Sequence, residues 1–196
     1  MKQLFFLTLL GLTVVGCNRS DLPQVKTDDT VQVTPSDPDH AEIPLVRLQG
    51  DQVSTLPSDH LANKDYIAVY YSASWCPPCK FFTPELVRFY DKAIQVYDNF
   101  EIILFSNDYE QEAMENYMLS DQITFPALAF EEISSSSLID YAAEGIPYLV
   151  VLDREGNQVL PQTDHSGYVD PTEVLNAFNQ LLMHKGKLKP KGYSQR

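Results

Sequence analysis

The chain has 196 residues, 44% of them hydrophobic, and its 14 Lys and Arg against 27 Asp and Glu leave a formal charge of −13. So acidic a surface argues against nucleic acid and against adsorption onto anionic lipid. A structural zinc site wants four Cys or His ligands, usually in close pairs. With three cysteines and with His40, His60, His165 and His184 scattered, the sequence predicts no metal site.

Residues 1–16 carry Lys2 and then an apolar segment from Leu4 to Val15. That segment suits a secretory signal and is too short for a transmembrane helix, which needs about 20 apolar residues. With Val14-Val15-Gly16-Cys17 at its end it resembles a bacterial lipoprotein signal. The resemblance implies cleavage before Cys17 and lipid on that residue, holding the protein at the membrane. Removing 1–16 takes away Lys2 and no acid, so the mature charge falls by one to −14. Residues 17–43, rich in Asp, Thr and Pro, read as a flexible tether. The implied location is the periplasmic side of a bacterial envelope, with Asn18 favouring the outer membrane.

One domain is expected over residues 44–185 and a loose basic tail over 186–196. Asp65 to Ser72 is a continuous apolar run, the pattern of a strand buried on both faces. Directly after it comes Trp75-Cys76-Pro77-Pro78-Cys79-Lys80. Two thiols at this spacing, on a strand-to-helix junction, make a dithiol that closes into a disulfide and reopens. Cys76 in the first helical turn faces free N–H groups and the positive dipole end, which stabilise a thiolate. Cys79, one turn on, can attack a mixed disulfide formed at Cys76. Pro77 and Pro78 suit that turn because their missing N–H groups have no intrahelical partner there. A structural disulfide and half of a metal site are the bland alternatives.

Leu86, Tyr90, Ala93 and Tyr97 continue as an amphipathic helix with Pro84 inside it. Glu101 to Ser106 reads as the next buried strand, Tyr109 to Leu119 as a helix, and Ala127 to Phe130 as a short strand. Ser134 to Ala143 reads as a helix stopped by Gly145. Tyr148 to Leu152 and Asn157 to Leu160 form a hairpin about Asp153-Arg154-Glu155-Gly156. The last helix opens on Asp170 as N-cap, Pro171 and Glu173, with Val174, Leu175, Phe178, Leu181 and Leu182 buried.

This order describes an α/β domain, a central mixed sheet flanked by helices on both faces. It is the order of the thioredoxin fold. The stretch Tyr71 to Lys80, with Phe82-Thr83-Pro84 and Phe89-Tyr90-Asp91-Lys92, resembles the tryparedoxin/nucleoredoxin branch of the thioredoxin-like superfamily. The likeness fades through 120–145 and returns at Gly145-Ile146-Pro147 and Leu149 to Asp153. It implies a cis proline at Pro147, with Ile146 and Pro147 presenting backbone to an extended substrate strand. Trp75 is a flat wall beside Cys76 or an ordinary buried aromatic. Thioredoxins carry a buried acid where this chain has Tyr70, which leaves the proton acceptor for Cys79 unnamed. Phe125, near the place of a family tryptophan, is either a recognition surface or core.

The leading expectation is a thiol–disulfide oxidoreductase, monomeric and without bound cofactor, whose working group is the Cys76–Cys79 disulfide. Its partners are protein disulfides or thiols and a dithiol electron donor such as a membrane relay. The resemblance favours reduction, while oxidation or isomerisation is the same-fold alternative. Peroxiredoxins, which share this fold, use a Thr or Ser three residues before their cysteine, and Ala73 stands there instead. A binding module that keeps only the groove needs no second thiol at this spacing.

Overall fold

The computed structural model describes residues 43–162 and 168–189. The signal segment, Cys17, the tether up to residue 42 and residues 190–196 lie outside the described residues. In chain order the elements are β1 (Leu45–Gln49), β2 (Gln52–Thr55), β3 (Tyr66–Ser72), α1 (Pro77–Ala93), β4 (Phe100–Ser106), α2 (Gln111–Ser120), β5 (Ala127–Leu128), β6 (Tyr148–Asp153), β7 (Gln158–Leu160) and α3 (Pro171–Lys185). Among the described residues they form one seven-stranded mixed sheet, ordered β2-β1-β5-β4-β3-β6-β7. The central strands β3 and β4 run parallel in register from Tyr66 opposite Phe100 to Ser72 opposite Ser106. They therefore end at the same edge, which is where α1 begins.

Side chains alternate across the sheet with period two, so β3 and β4 serve two cores. Ala68, Tyr70, Ile102 and Leu104 join one cluster with the buried residues of α1, α2 and α3. Ile67, Val69, Tyr71, Ile103 and Phe105 join the other. The cover of the second face is made by Leu61 and by Leu138 in a 3₁₀ turn, Ser137–Tyr141. Tyr71 donates its hydroxyl proton to the carbonyl of Leu138 there.

Several local expectations are corrected. The helix expected over Ser134–Ala143 is the 3₁₀ turn alone, with Ser136 as its cap. Leu138 is its one buried residue, too little apolar surface to hold a longer helix. Phe130 opens another 3₁₀ turn, Phe130–Glu132, and does not extend β5. Helix α1 runs through Pro84 but closes at Ile94, so Tyr97 lies beyond it. The β1–β2 hairpin, unforeseen in the sequence, turns on Gly50 and Asp51, with Gly50 in the left-handed region at φ 68°.

The tail begins docked. Lys187 N–H donates to Asn99 Oδ1 at 2.8 Å, Lys189 N–H to the Val96 carbonyl at 2.9 Å, and Leu188 bridges Tyr97. A Cβ on Gly186 would stand 2.3 Å from the Leu182 carbonyl oxygen and 2.5 Å from the Tyr97 ring. The buried carboxylate of Glu101 ties the hairpin to the sheet: Arg47 donates to it at 3.2 Å, and His60 Nε2 lies 2.6 Å away. Burial alone raises its pKa, yet His60, Arg47 and Lys64 outweigh that and hold it below the ordinary glutamate value.

Candidate active site

The site is built where β3 ends and α1 starts. Cys76 is the N-cap of α1, in extended backbone at φ −92°, ψ 106°, and Pro77 and Pro78 occupy the first helical positions. Prolines there leave the next free amide to Cys79, whose N–H donates to Cys76 Sγ at 3.2 Å. That sulfur does what a Ser or Asp oxygen does at an ordinary N-cap. Cys76 and Cys79 are joined as a disulfide, with Cα atoms 5.3 Å apart. Both are buried, together with Ala73, and Ile146 packs against them.

Ile146 and Pro147 come from the loop before β6, and the bond between them is cis. The Ile146 carbonyl oxygen lies 3.7 Å from Cys76 Sγ. Ile146 thus stands against Cys76 although 70 residues separate them, and Pro147 and Trp75 are their neighbours in the chain. Trp75 is not a buried aromatic: it is 51% exposed. Phe125 has no exposure at all and packs edge-on against Tyr70 and Tyr90, which removes it as a recognition surface. Lys80 is exposed on α1.

Beneath Cys79 lies a cluster of neutral hydroxyls. Thr83 Oγ1 is 2.8 Å from the Cys79 carbonyl, 2.8 Å from Tyr70 Oη and 2.6 Å from Tyr117 Oη. Tyr117 Oη is in turn 2.8 Å from Ser72 Oγ. One assignment uses every proton once: Ser72 donates to Tyr117, Tyr117 and Tyr70 donate to Thr83, and Thr83 donates to the Cys79 carbonyl. Burial, with neighbouring Tyr117 adding to it, pushes the Tyr70 hydroxyl far above the usual tyrosine range. Tyr70 therefore stays a neutral donor where thioredoxins place an acid.

Asp108 is a supporting residue of the site that no local sequence pattern singles out. It is 8% exposed, accepts Ser74 N–H at 2.9 Å and the Ser74 hydroxyl at 2.6 Å on Oδ1, and accepts the Ser106 hydroxyl at 2.8 Å on Oδ2. It holds the loop that leads into Cys76. The available signal was topological: β3 and β4 end together, so the residues after Ser106 must flank those after Ser72.

A strand-to-helix dithiol, capped by its own second amide and faced by an Ile-Pro loop, defines a redox-type site of the thioredoxin fold. Comparison with known proteins agrees. The Thioredoxin-like family model matches residues 63–158. Thioredoxin from Wuchereria bancrofti is 33% identical and superposes with a TM-score of 0.55, covering 72% of this chain and 97% of that one. The chain belongs to the thioredoxin-like family. Tryparedoxin I from Leishmania major superposes with a TM-score of 0.53 at 29% identity, covering 80% of this chain and 94% of that one. Human nucleoredoxin is 33% identical over 123 residues, 61% of this chain but 26% of nucleoredoxin, so the match spans about a quarter of that relative. These relatives place the chain on the nucleoredoxin and tryparedoxin branch.

Proposed function

We propose that the protein is an exported, lipid-anchored thiol–disulfide oxidoreductase that reduces protein disulfides through Cys76 and Cys79. The observation that carries this reading is the Cys79 N–H directed at Cys76 Sγ across the first turn of α1, at 3.2 Å. In the reduced protein the same amide and the helix N-terminus favour the Cys76 thiolate. That thiolate attacks one sulfur of a substrate disulfide; the other leaves as a thiolate and takes a proton. Cys79 then gives up its proton and attacks Cys76 Sγ, releasing the second substrate thiol and leaving Cys76–Cys79 oxidised. Two electrons and two protons pass to the substrate, and both electrons come from the two thiols without a cofactor.

Ile146 and Pro147 offer the substrate strand its backbone contact, and Trp75 bounds the approach to Cys76. An external dithiol donor, a membrane relay in this setting, restores the reduced form of the monomeric protein. Export and anchoring are supported by Lys2, the apolar run Leu4 to Val15 and Cys17. They put the domain on the periplasmic side of the envelope, with Asn18 favouring the outer membrane. Reduction, rather than oxidation, is supported by the likeness to tryparedoxin.

The test is turnover of a protein disulfide by the full chain with a dithiol supply. Cys76→Ser is expected to abolish turnover, and Cys79→Ser to accumulate a mixed disulfide at Cys76. Retained turnover in Cys76→Ser would overturn Cys76 as the attacking thiol, and absence of turnover in the wild type would leave a peptide-binding module of the same fold. A potential near that of thioredoxin, about −270 mV, fits a reductant, and one near −120 mV would reverse the direction.

A further inference from the structure

Beside Cys76 stands an aromatic surface that the thiol chemistry does not use. The rings of Trp75 and Tyr109 are stacked, with centroids 5.9 Å apart and planes at 16°. Yet Trp75 is 51% and Tyr109 84% exposed. Two rings meeting in open water remove little apolar area from solvent, so the stack contributes little to folding.

The stack is nevertheless held on a rigid base. Asp108 grips Ser74 by two hydrogen bonds and Ser106 by a third. Trp75 Nε1 donates to the Asn107 carbonyl at 3.3 Å. Residues 74–75 and 107–108 are thereby tied together, and Tyr109 follows directly. Rigid, exposed aromatic side chains make good contacts because ordering them costs little entropy.

We propose that Tyr109 is a specificity-determining residue of the reaction. With Trp75 it forms a shelf for an apolar or aromatic side chain next to the attacked cysteine of an extended protein disulfide. The inference rests on Cys76 being the nucleophile, as argued above. Because Trp75 directly precedes Cys76, a substrate sulfur held at Cys76 leaves the neighbouring substrate residue, about 3.3 Å along an extended chain, near the shelf. Ile146, whose carbonyl oxygen lies 3.7 Å from Cys76 Sγ, and Pro147 take the backbone of that chain. Backbone grip and side-chain reading then fall to different parts of the site.

The test compares two cystine-linked peptides, one with Phe and one with Gly beside the cysteine, reduced by the full-length protein. Wild type is expected to prefer the Phe peptide in kcat/KM. Tyr109→Ala should lower that preference about three- to tenfold, the range an aromatic contact supplies. Tyr109→Phe, which keeps the ring, should retain it. A preference unchanged in Tyr109→Ala, or lost equally in Tyr109→Phe, overturns the shelf while the oxidoreductase reading stands. Failure of the wild type to reduce either peptide overturns both.

Discussion

Thr83→Val removes one oxygen from the middle of the hydroxyl cluster under Cys79 and leaves the shape of the side chain almost unchanged. Thr83 Oγ1 has three partners: the Cys79 carbonyl, Tyr70 Oη and Tyr117 Oη. Thr83, Tyr70 and Tyr117 are all buried, so water cannot replace the lost contacts. Tyr70 keeps only a 3.5 Å approach to the Cys79 carbonyl, and Tyr117 keeps Ser72. An unsatisfied buried donor costs about 1–3 kcal/mol, so two partly rescued donors predict a loss of about 2–4 kcal/mol.

The assay is urea unfolding of the oxidised protein, read as a fall in midpoint at constant slope. Thr83→Ser is the control, since it keeps the hydroxyl and loses one methyl, for about 1 kcal/mol. If Thr83→Val costs less than about 0.5 kcal/mol, or less than Thr83→Ser, the cluster does not hold the floor of the site and the donor assignment fails.

Two further outcomes follow from charge and from the N-terminal segment. Burial raises the pKa of Asp65, but hydrogen bonds from Lys187, Asn99 and Arg154 outweigh it and bring it down from 3.8 to about 2. Its stabilisation is therefore present above about pH 4 and lost as the pH falls towards about 2, so Asp65→Asn should flatten the urea midpoint across that window. An unchanged pH profile in Asp65→Asn would show that the docked tail segment gains nothing from this carboxylate. Labelled palmitate should enter the full chain in a bacterial host and be absent from Cys17→Ala. Absence of label from the wild type would end the anchoring proposal and leave the redox chemistry untouched.

Where the fold follows local rules, it was readable in the chain. The run at 65–72 is β3 within one residue, and Asp170 caps α3 by accepting Thr172 N–H at 2.8 Å. The hairpin of β6 and β7 lies about the predicted turn. Where tertiary contacts decide, the structure departs from the local pattern. Tyr97 keeps the apolar period of α1 but is claimed by the bridge to Leu188. The β1–β2 hairpin carries a Gly-Asp turn between Val46, Leu48 and Val53, a weak alternation whose strands are only half-buried. Ser134–Ala143 has turn residues at a plausible helix start but one side chain for the core.

The site divides along the same line. Its chemistry is local: Cys76, the two prolines and Cys79 lie within one helical turn, so spacing alone exposes it. Its support is not local. Thr83 and Tyr117 are 34 residues apart, as are Ser74 and Asp108, and the two pairs meet only because β3 and β4 end in register at Ser72 and Ser106. A dithiol therefore declares the reaction in the sequence, whereas the parallel register decides what surrounds it. On the proposed reading of Cys76 as the attacking thiol, the loop after β4 lies beside it without belonging to the Cys-Pro-Pro-Cys turn, so a change in that loop can alter partner preference while the turn stays as it is. Tyr109 occupies this position, exposed, stacked on Trp75 and outside the hydrogen bonds that hold the turn. On this argument, substitution at Tyr109 shifts substrate preference with little effect on folding, and substitution at Asp108, which grips both loops, disturbs the shelf and the approach to Cys76 together.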